Sequence, residues 1–338
     1  MRVALLAHEL FPDRAKTAVG VLRYADHEVA AVLDRTRAGE RVADHLPEVQ
    51  DAPIVAGIDD VDEPLDALIV GIAPIGGGFD ESWRPDVAGA LERGCDVFAG
   101  LHYFLGDDEE FAALAEANDC RLWDVRRPPD DLTVAEGRAD EVAADVVLTV
   151  GTDCSTGKMT TTMELAASAR ERGIDAAVVP TGQTGILIEG WGIAVDRTVS
   201  DFTAGAVEQM VRERGDDHDL LVVEGQGAIT HPAYSAVTCG ILHGAMPDAL
   251  VLCHEAGREA VHGYESFPIP DPSQHVALYE DLAAPVAAAS VAGGSLNTSH
   301  IADDAAAQAA VSAFGDAIDA PATDPVRFGT DTVLDAIR

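Results

Sequence analysis

The chain has 338 residues, with 59 acidic against 22 basic side chains and a formal charge of −37. Such a charge excludes recognition of a nucleic-acid backbone, because phosphate repulsion would have to be overcome without a basic stripe. The 47% hydrophobic content is too high for a disordered acidic chain and sufficient for two ordinary cores, while no run approaches the roughly 20 apolar residues of a membrane helix.

Met1 to Glu9 reads as a first β-strand, too short in apolar content for a secretory signal. Further strands are expected at Glu28 to Leu33, Leu65 to Ile72 and Asp96 to Ala99, with helical patterns between them, which implies parallel strands and crossover helices. A glycine-rich turn, Gly71 to Gly78, precedes a helix candidate at Pro85 to Arg93. It departs from a strict dinucleotide fingerprint, since Pro74 intervenes and the helix starts late. Arg126 to Asp131 carries two prolines and charge, as a linker does, so the division expected is residues 1–130 and 131–338. An acidic helix over Val134 to Ala144 leads into the second half. There Val146 to Val150 reads as a central buried strand, followed by strands at Ala176 to Val179, Asp219 to Val223, Ala249 to Cys253 and Val286 to Ser290. Helices are expected at Lys158 to Arg172, Phe202 to Arg214, Ser235 to His243, Pro272 to Leu282 and Asp303 to Phe314. The fold class is α/β: a Rossmann-like N-terminal domain followed by a P-loop parallel-sheet domain.

The five cysteines form no CxxC pair, so neither a zinc knuckle nor a disulfide framework is indicated, and a reducing cytoplasm is expected. No two histidines have a convincing ligand spacing, and no metal site is expected. The acidity suits a solvated surface in concentrated salt, where the Debye length falls to about 3 Å and self-repulsion is screened. Lysine occurs only at Lys16 and Lys158, which marks Lys158 as chemically required.

Lys158 closes the run Gly151, Thr152, Asp153, Cys154, Ser155, Thr156, Gly157, Lys158, Met159, Thr160. A buried strand here feeds a glycine-bounded loop opening onto a long helix. That geometry aims backbone N–H groups and the positive helix end at one point, as a phosphate requires, with the lysine supplying a mobile cation. Relative to GxxxxGK[ST] the loop is one residue longer, and Met159 stands where a Mg²⁺-binding hydroxyl normally follows the lysine; Thr160 or Thr161 is the available substitute. Three more segments place polar groups just past strands, where open α/β sheets hold ligands. In the first, Gly182, Gln183, Thr184 and Gly185 are candidate cofactor contacts, with Arg197 and Asp201 following. In the second, Glu224 could hold a metal, orient water or accept a proton, Gln226 could contact substrate, and His231 and Tyr234 could move a proton. In the third, His254 and Arg258 are candidate substrate contacts, Arg258 as a bidentate carboxylate partner. Cys154 is either a nucleophile at a helix N-terminus or a small packing group.

These segments, with Gly190–Trp191–Gly192, Thr230 to Tyr234, Leu296–Asn297–Thr298, Gly71 to Pro74 and Gly100–Leu101–His102, resemble the D-glutamate N-acetyltransferase-like proteins over almost the whole chain. The resemblance implies acetyl transfer from acetyl-CoA to the amino group of D-glutamate, with an epimerase-like partner enzyme processing the product. The expected chemistry needs a neutral amine, a polarised thioester carbonyl and a thiolate leaving group, with Glu224 or His231 as base. A homo-oligomer is expected, without membrane or nucleic-acid partners. The loop is also similar to that of dethiobiotin synthetase, which keeps two alternatives open: a Mg-ATP-dependent ligase or kinase, and a nucleotide-switched binding module.

Overall fold

The computed structural model describes residues 1–72 and 76–338. They divide into two compact units, one of residues 1–128 with 183–197 and one of residues 129–182 with 198–338. None of the described helices is long and apolar enough to cross a membrane.

The first unit holds β1 (Arg2–Leu6), α1 (Lys16–Tyr24), β2 (Glu28–Leu33), β3 (Ile54–Val55), β4 (Ala67–Val70), α2 (Arg84–Glu92), β5 (Asp96–Ala99), α3 (Glu109–Asn118) and β6 (Leu122–Asp124). The strands form one parallel sheet in the order β3-β2-β1-β4-β5-β6, the doubly wound order of a Rossmann-like domain. Helix α3 starts where the Asp108 carboxylate accepts the N–H groups of Glu110 and Phe111. β3 and β6 escape the sequence pattern because they are two and three residues long. The Gly71 to Gly78 turn lies partly outside the described residues. The unit is completed by α5 (Gln183–Glu189), whose Thr184 to Ile188 are buried and whose Thr184 hydroxyl pairs with that of Thr17 at 2.9 Å.

The second unit contains β7 (Asp145–Gly151), α4 (Lys158–Glu171), β8 (Ala176–Val179), α6 (Thr203–Arg214), β9 (Leu220–Val223), α7 (Ser235–Ala245) and β10 (Ala249–Glu255). After these come a hairpin of β11 (Ala260–Val261) and β12 (Tyr264–Pro268), then α8 (Pro272–Ala283), β13 (Ser290–Asn297), α9 (Asp304–Ile318), β14 (Ala322–Thr323) and α10 (Asp331–Ala336). Its parallel sheet runs β14-β13-β10-β7-β9-β8, so the buried β7 lies between β10 and β9.

Two expectations are corrected here. Val134 to Ala144 is not a helix; it contains only a single turn at Ala139–Glu141. The buried carboxylate of Glu208 takes the N–H groups of Glu136 at 2.8 Å and Arg138 at 2.9 Å, and Gly137 between them sits at φ +72°, which no helix permits. The strand expected at Val286 to Ser290 begins where that range ends and runs Ser290–Asn297. Gly293 and Gly294 mask its apolar pattern, yet Gly294 is required: a Cβ there would lie 2.6 Å from Ile318 Cδ1 of the helix packed on it.

Candidate active site

β7 ends at Gly151, and the chain turns through residues 152–157 into α4. Gly151 has no room for a side chain, since a Cβ would meet Lys158 Nζ at 2.8 Å and Thr156 Oγ1 at 2.9 Å. Gly157 occupies the N-cap of α4 at φ +99° with no side-chain cap of its own, so the positive end of α4 opens onto the loop. Ser155 also adopts the left-handed region, at φ +55°, which curls successive amides into an anion-binding concavity. Lys158 is buried and donates from Nζ to the Asp153 carbonyl at 2.7 Å.

Beyond Lys158 the chain departs from a Mg²⁺-nucleotide loop. Met159 is buried in the packing of α4. Thr161 donates to the Gly157 carbonyl at 3.0 Å and pairs with Ser295 at 2.7 Å, while Thr162 pairs with Thr149 at 2.9 Å and donates to the Lys158 carbonyl. The Thr161 hydroxyl, one of the two substitutes, is thus committed to protein partners.

Asp153 braces the loop. Its carboxylate, fully buried, accepts from the Cys154 N–H at 2.7 Å, the His262 N–H at 2.8 Å and Arg258 Nη1 at 3.1 Å. Arg258 also donates to the Cys154 carbonyl at 2.7 Å and pairs closely with Glu255. The guanidinium expected to clamp a substrate is therefore spent on the loop. His254 is used similarly: its Nδ1 pairs with the Thr152 hydroxyl at 2.7 Å, and its ring stacks on Phe314. Burial, with help from His275 and Arg258, pushes its pKa down to about 4, so the ring is neutral and cannot act as a cation for a carboxylate.

Glu224 closes β9. Its Oε2 accepts the N–H groups of Thr181 at 3.2 Å and Gly182 at 3.1 Å, and the Thr181 hydroxyl hydrogen-bonds the Glu224 carbonyl; Gln226 donates to the same hydroxyl at 3.3 Å. These bonds tie the turn after β8 to the end of β9. Gly225 lies against β7 so closely that a Cβ would fall 1.8 Å from the Thr149 carbonyl oxygen. Tyr234 is half exposed, with its ring 4.6 Å from that of His231. His231 is buried, its Nε2 4.0 Å from Asp153 Oδ1. Asp201 is exposed just before α6.

Two groups that sequence reasoning did not nominate hold the His231 loop in place. The fully buried Tyr279 of α8 donates its hydroxyl to the Gly151 carbonyl at 2.7 Å and accepts the Ile229 N–H at 3.1 Å. One turn earlier, His275 pairs with the Thr230 hydroxyl at 3.0 Å. Their only sequence signal is the i, i+4 spacing of two polar-tipped rings on one helix face. Asp153, Cys154 and His231 also bring an oxygen, a sulfur and a nitrogen within 4.8 Å of one another. A cation entering this set would meet the Arg258 guanidinium already on Asp153, which disfavours it electrostatically.

Gln183, Thr184, Gly185 and Arg197 belong to the first unit. Thr184 and Gly185 are buried packing positions there, and Arg197 is exposed, its guanidinium 5.3 Å from the Phe104 ring centre. Beside it Arg126 pairs with Asp196, donates to the Gly100 carbonyl at 2.7 Å and meets His102 Nε2 at 3.2 Å.

Residues 133–334 match the P-loop domain, and residues 35–128 the Rossmann-like domain, of a family described as a domain of unknown function, DUF1611. The chain is 38% identical over 275 residues, 80% of each chain, to a D-glutamate N-acetyltransferase of Tritonibacter scottomollicae. It is 35% identical over 272 residues, 79% of this chain and 80% of the relative, to a D-glutamate N-acetyltransferase of a Pseudoalteromonas species. A crystal structure of a DUF1611 family protein from Anabaena variabilis superposes with a TM-score of 0.94 at 38% identity, covering 99% of this chain and 98% of that one.

Proposed function

This chain belongs to the DUF1611 family and is an enzyme of the acyltransferase class, and we propose that it moves the acetyl group of acetyl-CoA to the α-amino group of D-glutamate. The names of the two relatives support D-glutamate as the acceptor and acetyl as the group moved. Within the site, the observation that carries the reading is the treatment of the position after Lys158. A loop built to cradle phosphate has a buried methionine in place of the Mg²⁺-binding hydroxyl and turns the Thr161 hydroxyl to protein partners. Such a loop suits phosphates that arrive without an obligatory metal, as those of CoA do.

In this reading Gly151 to Thr160 hold a CoA phosphate, with the α4 amides and Lys158 supplying positive potential. The long pantetheine arm separates those phosphates from the thioester, so acetyl transfer proceeds at the far end of the ligand from the loop. The neutral amine attacks the thioester carbonyl carbon, the C–N bond forms as the C–S bond breaks, and the amine proton ends on the CoA sulfur. Arg258 and His254 serve as braces of the loop. Arg197, an exposed cation of the first unit held over Phe104, keeps the charge and planar fork that suit a carboxylate.

The test follows CoA thiol release in molar KCl with D-glutamate, L-glutamate and D-aspartate, each with and without Mg-ATP. Release with D-glutamate and no ATP is expected. Release that requires ATP, or none with any acidic amino acid while ATP is hydrolysed, overturns the proposal in favour of a ligase or kinase.

A further inference from the structure

His231 is a buried ring beside the loop, and its surroundings determine which nitrogen carries its proton. Nδ1 accepts the backbone N–H of Ala233 at 3.0 Å. A neutral imidazole whose Nδ1 is an acceptor must carry its hydrogen on Nε2. Burial lowers the pKa of the ring and Lys158 adds to this, with Asp153 opposing, so the neutral form is the relevant one. Nε2–H is then a donor and cannot take a proton. The Asp153 carboxylate, with Oδ1 4.0 Å from Nε2, is beyond hydrogen-bond reach.

The ring cannot easily turn. It is packed against Tyr234 at 4.6 Å and edge-on to Tyr264 at 5.2 Å between ring centres. Its loop is pinned by Tyr279 to the carbonyl that starts the P-loop and by His275 through Thr230. On a side chain only 1% exposed, a donor fixed in direction with no carboxylate in reach is available to a ligand that enters the loop. Asp153 is already satisfied by Arg258 and two backbone amides, so a neutral ring leaves that brace undisturbed where a cationic one would compete for it.

We propose that His231 is a neutral hydrogen-bond donor of the phosphate cradle, presenting Nε2–H to a phosphate oxygen of CoA beside the α4 amides and Lys158, and is not the base of the transfer. The proposal rests on the acetyl-CoA reading above. It makes His231 a ligand-binding group whose removal acts on CoA affinity, and it predicts that any side chain placing an N–H near the same point restores function.

The experiment compares wild type, His231→Ala and His231→Gln, whose amide nitrogen reaches close to the imidazole Nε2. Calorimetry in molar KCl with CoA, dephospho-CoA and pantetheine is paired with steady-state kinetics in acetyl-CoA. His231→Ala is expected to lose roughly ten- to hundredfold in CoA affinity, the size of one charge-assisted hydrogen bond, with kcat at saturation little changed. His231→Gln is expected to recover most of the affinity, and pantetheine binding to be the same in all three proteins. If the loss vanishes with dephospho-CoA, the acceptor is the 3′-phosphate; if it persists, the acceptor is the diphosphate, and either result supports the proposal. A kcat lost equally in both variants while CoA affinity is kept would restore His231 as the base. An affinity loss equal for pantetheine, or equal in the two variants, would also overturn the donor role. Wild-type protein that binds Mg-ATP and no CoA would overturn the acetyl-CoA reading itself, a different failure from wild-type CoA binding that His231→Ala leaves unaltered.

Discussion

Tyr279→Phe removes one oxygen and keeps the ring, so its effect isolates the bridge between the P-loop strand and the His231 loop. The hydroxyl is completely buried and joins the Gly151 carbonyl at 2.7 Å to the Ile229 N–H at 3.1 Å. Deleting it strands the buried Gly151 carbonyl and the part-buried Ile229 N–H. Each such orphan costs about 1–3 kcal/mol, and the hydroxyl's own desolvation is recovered, so a net loss of about 2–4 kcal/mol is expected. For a domain of this size that corresponds to roughly 5–15 °C in melting temperature. Because the residues lost from register carry His231, the KM for acetyl-CoA should rise several-fold with kcat less affected. Differential scanning calorimetry in molar KCl and kinetics on the same preparation measure both quantities. A melting temperature within a degree of wild type, together with an unchanged KM, would show that the bridge neither stabilises the unit nor positions the loop.

Lys158→Ala should lower CoA affinity roughly ten- to hundredfold while helix content by circular dichroism stays the same; wild-type affinity by calorimetry would remove the lysine from the cradle. Gly225→Ala should fail to give soluble protein or lose most of the second unit's stability, because its methyl would sit 1.8 Å from the Thr149 carbonyl oxygen; a normal melt would show that the β7–β9 contact is looser than its geometry implies. His231, His254 and His275 all have pKa values lowered by burial, His254 to about 4. The unfolded chain therefore binds more protons than the folded one below about pH 6.5, and stability, complete above that pH, is lost as pH falls toward 4, by up to about 3 kcal/mol from His254 alone. His254→Asn should flatten the melting profile between pH 7 and 5, and an unchanged slope would rule out its contribution. The charge of −37 should make the fold salt-dependent, and a melting temperature that does not rise from dilute buffer to molar KCl would refute this.

The P-loop was legible from sequence because everything that makes it is local. An apolar β-branched strand, a glycine that admits Lys158, a glycine at the helix cap and the lysine itself are consecutive in the chain, and each acts on its neighbours through backbone sterics. The same holds for β2, β5 and β8, whose observed bounds coincide with their apolar runs. Where glycine interrupts a strand, as at Gly293 and Gly294, or a distant carboxylate unwinds a helical pattern, as Glu208 does at Glu136 and Arg138, local propensity loses to tertiary contact. What each polar group does was decided there too. Arg258 reaches Asp153 across 105 positions because the order of the sheet sets β10 beside β7, and Tyr279 reaches Gly151 across 128 from helix α8. Residue type marked His231 and Arg258 as able to move protons or bind carboxylates; only the fold, by offering Nδ1 a backbone N–H and the guanidinium a buried aspartate, decided which protein partners each one takes.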